Sequence, residues 1–216
     1  MKLLAINVLY RPNDIGSSSG SSSTTKSIIL SGYDDLSSFG FFQRSTVREY
    51  IVFISRVLSD KNPPGTRQQV IKDEYTCYVQ TRIDSQLSAV IVCDAEYPSR
   101  VAFSLLYKVL TEFEKKYPKS VYLNSPSILQ SDYQLQLETI NDYLVKYQDP
   151  NQADELLKIK TDLEETKTIM NQVLEKMFER EDDLKNLVGM SEDLSMSSRA
   201  FYTAAQGENG GCCLLM

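Results

Sequence analysis

Between residues 3 and 10 the apolar side chains of Leu4, Ile6, Val8 and Tyr10 recur at every second position, the period of a strand. Residues 27–32 read as a second short strand. Between the two runs Gly16-Ser17-Ser18-Ser19-Gly20-Ser21-Ser22-Ser23-Thr24-Thr25, a flexible loop inserted in a hairpin, to which no function is assigned. From residue 44 to 58 the spacing changes. Val47, Ile51, Ile54 and Leu58 recur at helical spacing, Ser45 is placed to cap the helix, and Asn62-Pro63-Pro64-Gly65 stops it. Three more strands follow at 68–71, 75–82 and 87–93. Their joints, Lys72-Asp73-Glu74 and Ile83-Asp84-Ser85-Gln86, are short enough for an antiparallel meander. Residues 99–117 return to the helical period, with Val101, Leu105, Leu106, Val109, Leu110 and Phe113 on one face. The order ββαβββα predicts an α+β unit, a five-stranded antiparallel sheet sandwiched by helices. Residues 118–130 read as a linker and 135–147 as a further helix.

The sharpest periodicity lies further on. Leu156, Ile159, Leu163, Thr166, Met170, Val173, Met177, Arg180, Leu184, Leu187, Ser191, Leu194, Ser198, Phe201 and Ala205 are spaced by alternating threes and fours. That alternation is the a/d seam of a coiled coil, sustained for about seven heptads. Its start is marked: Asp149 suits the N-cap, Pro150 the first helical position and Gln152 the third. Arg180 stands near the middle of this stripe, and a buried guanidinium is costly unless its donors meet acceptors. In an isolated amphipathic helix such an Arg would snorkel at the edge. At the centre of so long a seam it reads as a polar layer that fixes register and partner number. The layers beyond it are small (Ser191, Ser198, Ala205), and Gly189 weakens the lone helix by about 1 kcal/mol relative to Ala.

Charge and composition divide the chain near Pro150. Residues 1–150 hold 16 Lys and Arg against 16 Asp and Glu, and 18 of the 21 Tyr and Phe, enough to build a core. The remainder holds 7 basic and 13 acidic residues and cannot readily fold alone. A net charge of -6 argues against a nucleic-acid partner. No apolar run reaches the roughly 18 residues a transmembrane helix needs, and Asn7 interrupts the N-terminus too early for a signal peptide. Cys77 and Cys93 sit in strand-like runs and read as reduced core thiols. With no His and no cluster at ligand spacing, neither a metal, a cofactor nor a catalytic residue is expected, and the chain is not read as an enzyme.

The last five residues carry the clearest chemistry. Cys213-Leu214-Leu215-Met216 fits the Cys-aliphatic-aliphatic-X prenylation signal, and Met at X favours a farnesyl thioether on Cys213. One lipid chain binds a membrane only marginally, and the preceding Gln206-Gly207-Glu208-Asn209-Gly210-Gly211 has no Lys or Arg to help. Cys212 is therefore expected to take a palmitoyl group or another second lipid.

Residues 151–205, with Phe178-Glu179-Arg180-Glu181-Asp182-Asp183-Leu184, resemble an R-SNARE motif. Residues 1–117 resemble a longin domain through Phe39-Gly40-Phe41-Phe42-Gln43-Arg44-Ser45-Thr46-Val47 and Glu96-Tyr97-Pro98-Ser99-Arg100-Val101-Ala102-Phe103. Together with Cys212 and Cys213 the chain resembles the prenylated longin R-SNAREs, synaptobrevin-like v-SNAREs with an N-terminal longin domain. The resemblance implies a longin, profilin-like domain over 1–130, a helical linker over 131–150, an R-SNARE helix over 151–211 and a lipidation tail over 212–216. It implies membrane fusion in vesicle transport: three Q-SNARE helices zip with the seam, and Arg180 donates to three partner Gln side chains. It also implies a closed form in which the chain folds on its own longin domain, with Phe39, Phe41 and Phe42 as surface aromatics that help cover the helix or the lipid. At least one of the three is expected in the core. The lipids would attach it from the cytoplasm to the cytoplasmic face of Golgi, endosomal or vacuolar membranes. The alternative is a lipidated longin trafficking adaptor with a single coiled-coil partner and no fusion activity. A third reading, acyl transfer onto Cys212, has no visible general base. The Ser-rich insertion and the missing basic residues before Cys212 depart from the family pattern.

Overall fold

Leu3–Tyr10 is buried from end to end because helices cover both faces of the sheet it sits in. The computed structural model describes residues 2–12, 27–72, 74–123, 128–150, 167–173 and 181–200. In chain order its elements are β1 Leu3–Tyr10, β2 Ile28–Asp34, α1 Arg44–Lys61, β3 Thr66–Lys72, β4 Tyr75–Thr81 and β5 Leu87–Asp94. Then come α2 Ser99–Lys116, the short α3 Lys119–Leu123, a 3-10 turn Ile128–Gln130, α4 Thr139–Lys146, β6 Lys167–Val173 and α5 Glu181–Met190. The sheet order is β2-β1-β5-β4-β3-β6. Its first five strands are antiparallel, as the sequence pattern predicts. The sixth was not foreseen. It pairs parallel to β3, with Thr66 opposite Lys167 and Ile71 opposite Val173.

Strand alternation sorts side chains to two cores. Leu3, Ile6, Val8 and Tyr10 face α2, while Leu4, Ala5 and Leu9 face α1. All six apolar residues read as the α2 face are buried, as are Ile51, Ile54 and Leu58 of α1, while Val47 packs at the edge of that core. Cys77 and Cys93 are free, buried thiols on opposite cores. Burial pushes the Cys77 thiol up to about 12, so it stays protonated and inert. Strand β2 crosses β1 closely at Gly32, where a Cβ would stand 2.0 Å from Oδ1 of Asn7. Asn7 itself is buried and donates to Ser55 Oγ at 3.0 Å, tying the sheet to α1.

Local details differ from expectation for identifiable reasons. Helix α1 starts at Arg44, with Gln43 at the N-cap and no side-chain cap, so Ser45 is not the capping residue. The Gly40 carbonyl already accepts from Gln43 and Arg44 N–H groups and winds the chain one turn earlier. The helix runs on to Lys61, where Asn62 accepts from Thr66 Oγ1 and donates to the Thr66 carbonyl and Thr81 Oγ1. Gly65, at φ +73°, completes that turn.

Residues 118–150 are more than a connector. Tyr122 of α3 is fully buried against Tyr10 and Phe113. Residues 132–137 lie along β2: Tyr133, in a turn at φ +58°, and Leu135 donate their N–H groups to the Ile29 and Leu30 carbonyls, and Leu137 N–H donates to Ser31 Oγ. Helix α4 is shorter than the sequence pattern suggests because residues 132–137 are held irregularly along β2 by these bonds. Leu135, Leu137, Ile140, Tyr143, Leu144 and Tyr147 all join the α2-side core.

Candidate functional site: the docked C-terminal segment

The residues just before the predicted seam are tied to the sheet. Gln148 uses its side-chain amide like a strand partner, accepting from Leu3 N–H at 3.1 Å and donating to the Leu3 carbonyl at 2.7 Å. Tyr97 OH donates to the Tyr147 carbonyl at 2.9 Å. Pro150 is helical, in keeping with its reading as the first helical position.

The uninterrupted helix expected over the seam is not what the described residues form. Met170 and Val173 lie in strand β6. A lone amphipathic helix has nowhere to bury its stripe, whereas the outer edge of β3 offers a row of backbone partners. The stretch Lys167-Thr168-Ile169-Met170-Asn171-Gln172-Val173 includes three β-branched residues that suit a strand. Helical structure returns in α5, which lies on α1 and the sheet. There Leu184 and Val188 are only 1 % and 3 % exposed, and Leu187 packs at the margin. The helix stops after Met190, and Leu194 inserts into the same core from a non-helical turn. Ser195 then caps the next helical turn, its Oγ accepting from Ser198 N–H at 3.3 Å. Ser191 and Ser198 are buried against the protein's own residues: Ser191 Oγ accepts from Asp193 N–H, and Ser198 Oγ donates to Glu49. Gly189 needs no special space, since a Cβ there would meet nothing within 4 Å.

Two charged residues of α1 receive this segment. Glu49 Oε2 accepts from Ser195 N–H at 2.8 Å and from Ser198 Oγ at 2.7 Å. Burial alone would raise the Glu49 carboxyl, but these donors outweigh it and hold it below its usual range. Arg56 uses its fork to join two distant stretches: Nη1 donates to Asp193 Oδ1 at 2.5 Å, and Nη2 donates to Asp132. Burial pushes the Asp193 carboxyl up; Arg56 pulls it back and Asp132 adds to the rise. Nearer the start of α1, Arg48 and Asp34 form a bidentate pair at 2.8 Å.

Phe39 packs half-buried on the α1-side core, so it is the core member expected of the three aromatics. Phe41 and Phe42 stack edge to face at 5.5 Å and are 78 % and 90 % exposed. Among the described residues no helix is long and apolar enough to cross a membrane. Arg180, Leu156, Ile159, Leu163, Thr166, Met177, Phe201, Ala205, Cys212, Cys213 and the Ser-rich run lie outside the described residues. Sequence reasoning missed Val188, Glu49, Arg56, Asp132 and Asp193. Only Val188 had a signal, its four-residue step from Leu184; the ionic partners had none, because each pair is joined across more than 70 residues.

Comparison with known proteins agrees with this division. The Longin family model, a regulated-SNARE-like domain, matches residues 36–144, and the Synaptobrevin family model matches residues 155–209. The synaptobrevin homolog YKT6 of Yarrowia lipolytica is 37 % identical over 216 residues, all of both chains. That of Saccharomyces cerevisiae is 35 % identical over 88 % of this chain and 93 % of its own. The Schizosaccharomyces pombe homolog is 37 % identical over 87 % of this chain and 91 % of its own. With a longin fold in front, a synaptobrevin segment behind and relatives alike over most or all of their length, the chain belongs to the longin R-SNAREs of the synaptobrevin homolog YKT6 type.

Proposed function

We propose that this R-SNARE is lipid-anchored and alternates between the docked arrangement described above and a four-helix bundle with three Q-SNARE helices. One observation carries the proposal. The residues whose spacing makes the bundle seam are here divided among a strand, a helix and a capped turn, all attached to the longin fold. Met170 and Val173 cannot be in β6 and in a continuous bundle helix at once, so docking and zippering exclude each other. In the bundle Leu156, Ile159, Leu163, Thr166, Met170, Val173 and Met177 form the layers before Arg180. Leu184, Leu187, Ser191, Leu194, Ser198, Phe201 and Ala205 form those after it, and Arg180 meets three Gln carbonyls. Zippering toward the C-terminus draws two bilayers together. Cys213 carries the farnesyl group and Cys212 the second lipid. The working membranes are the cytoplasmic faces of Golgi, endosomal or vacuolar compartments. The family acts by assembly rather than by catalysis.

Arg180 supplies the test. Arg180→Leu removes a buried charge and leaves partner amides unsatisfied, at about 1–3 kcal/mol, while the new Leu contributes about 1.5–3 kcal/mol of burial. Bundle stability should therefore change little, while register, partner choice and liposome fusion fail. Arg180→Gln with a Gln→Arg exchange in one partner should restore fusion. Unimpaired fusion by the single variant would remove Arg180 from the seam, and a two-chain complex in place of a four-chain one would favour the adaptor reading.

The anchor is tested separately. Cys213→Ser should leave the protein off membranes, and Cys212→Ser should keep the farnesyl group but lose stable residence. Membrane fractionation reads the residence, and mass spectrometry of the C-terminal peptide from prenylating cells reads the lipids. An unmodified Cys213 there would refute the anchor.

A further inference from the structure

Arg56 is shared between a residue that stays and a residue that leaves. Asp132 belongs to the stretch laid beside β2. Its Oδ1 accepts from Ile29 N–H at 3.0 Å, and the neighbouring Tyr133 N–H donates to the Ile29 carbonyl at 2.7 Å. Asp132 is thus fixed independently of the C-terminal segment, and its other oxygen takes Nη2 of Arg56. Asp193, on the segment, takes Nη1. Two carboxylates face one guanidinium, so the docked cluster carries one uncompensated negative charge. Undocking removes Asp193 and leaves Arg56 and Asp132 as a neutral pair. No guanidinium is stranded beneath the departing segment, which is the costly outcome of breaking a partly buried ion pair.

We propose that Asp132 sets the balance between docked and released forms by competing with Asp193 for Arg56. It is a positioning residue that loosens the segment, although its contacts are all attractive locally. Without its charge Arg56 would serve Asp193 alone, the repulsion between the carboxylates would vanish, and docking would tighten. Burial is the main cause of the raised Asp193 carboxyl, and the Asp132 charge adds to it in the sense of that repulsion. The inference rests on the reading of the docked arrangement as the resting form. A plain structural role for Asp132, holding Arg56 in place for Asp193, makes the opposite prediction, so the sign of one substitution separates them.

The experiment is amide hydrogen exchange of the full chain, comparing α5 with α2 as an internal control. Asp193→Asn should speed α5 exchange by about tenfold. Asp132→Asn keeps the acceptor for Ile29 N–H and turns an amide donor toward Arg56. It should slow α5 exchange by about three- to tenfold, the scale of one unit charge a few ångströms away in a partly buried site. In the double variant the slowing should disappear, because its target carboxylate is gone. Faster α5 exchange in Asp132→Asn, or none of these changes, overturns the proposal. If α5 in the unaltered chain exchanges as fast as a free peptide, the docked reading itself fails, a result distinct from the wrong sign.

Discussion

A chain ending at residue 130 is expected to unfold, whereas one ending at Pro150 keeps its fold. The difference is six buried side chains, Leu135, Leu137, Ile140, Tyr143, Leu144 and Tyr147, all in the core between the sheet and α2. Truncating a single large core side chain costs about 2–5 kcal/mol. Removing six exceeds the total of about 5–15 kcal/mol that holds a domain together. The shorter chain also loses the donors to the Ile29 and Leu30 carbonyls, so β2 becomes an open sheet edge. Tyr97 OH and the Leu3 backbone lose their partners Tyr147 and Gln148 as well. Thermal melting followed by near-ultraviolet circular dichroism distinguishes the two. A cooperative melt of the shorter chain near that of the longer would show that residues 131–150 are a mere connector. On this argument the folding unit extends to Pro150.

Val188→Glu is expected to release the C-terminal segment while leaving the bundle seam intact. Val188 is 3 % exposed, beneath α5 and against α1. It lies one position past the seam residue Leu187, so it belongs to the docked arrangement and not to the seam layers. A charge driven into this apolar contact without a partner costs several kcal/mol, and each 1.4 kcal/mol is about tenfold. The docked population should fall by about a hundredfold or more. Limited proteolysis across residues 181–200 should speed accordingly, and assembly with Q-SNARE helices should become faster with little change in final bundle stability. Leu187→Ala is the counterpart: it touches the docked core only at its margin but removes a seam layer, so it should weaken the bundle more than the docking. Unchanged protease protection in Val188→Glu would refute the docking role.

Much of the fold was legible from local signals. The joints at Lys72-Asp73-Glu74 and Ile83-Asp84-Ser85-Gln86 each separate two runs of strand formers, and β3, β4 and β5 pair as a meander. The helical stripe from Val101 to Phe113 is buried as its spacing requires. Residues 118–130 read as a linker because short apolar runs without a period look like connectors, and Leu135 and Leu137 read as the start of a helix that begins only at Thr139. Tyr122, Leu135 and Leu137 are buried by what lies opposite them, not by any pattern of their own. The site divided in the same way. The seam was visible as a row of positions, but its docked surface was not, because Glu49, Arg56 and Asp132 are distant in the chain from Ser195, Ser198 and Asp193.

By itself the sequence determined the α+β sandwich, the seam with Arg180 at its centre and the lipidation signal. These are written in spacings of two, three and four residues, or in the order of five adjacent residues, and need no distant partner to be read. Only the tertiary structure decided that residues with a helical period form β6, that Val188 is buried under α5 while Leu187 stays at the margin, and that Arg56 is divided between Asp132 and Asp193. The physical reason is that an amphipathic segment specifies a stripe to be buried but not the surface that buries it. Here an open strand edge and the flank of α1 supply that surface, which the spacing alone does not encode.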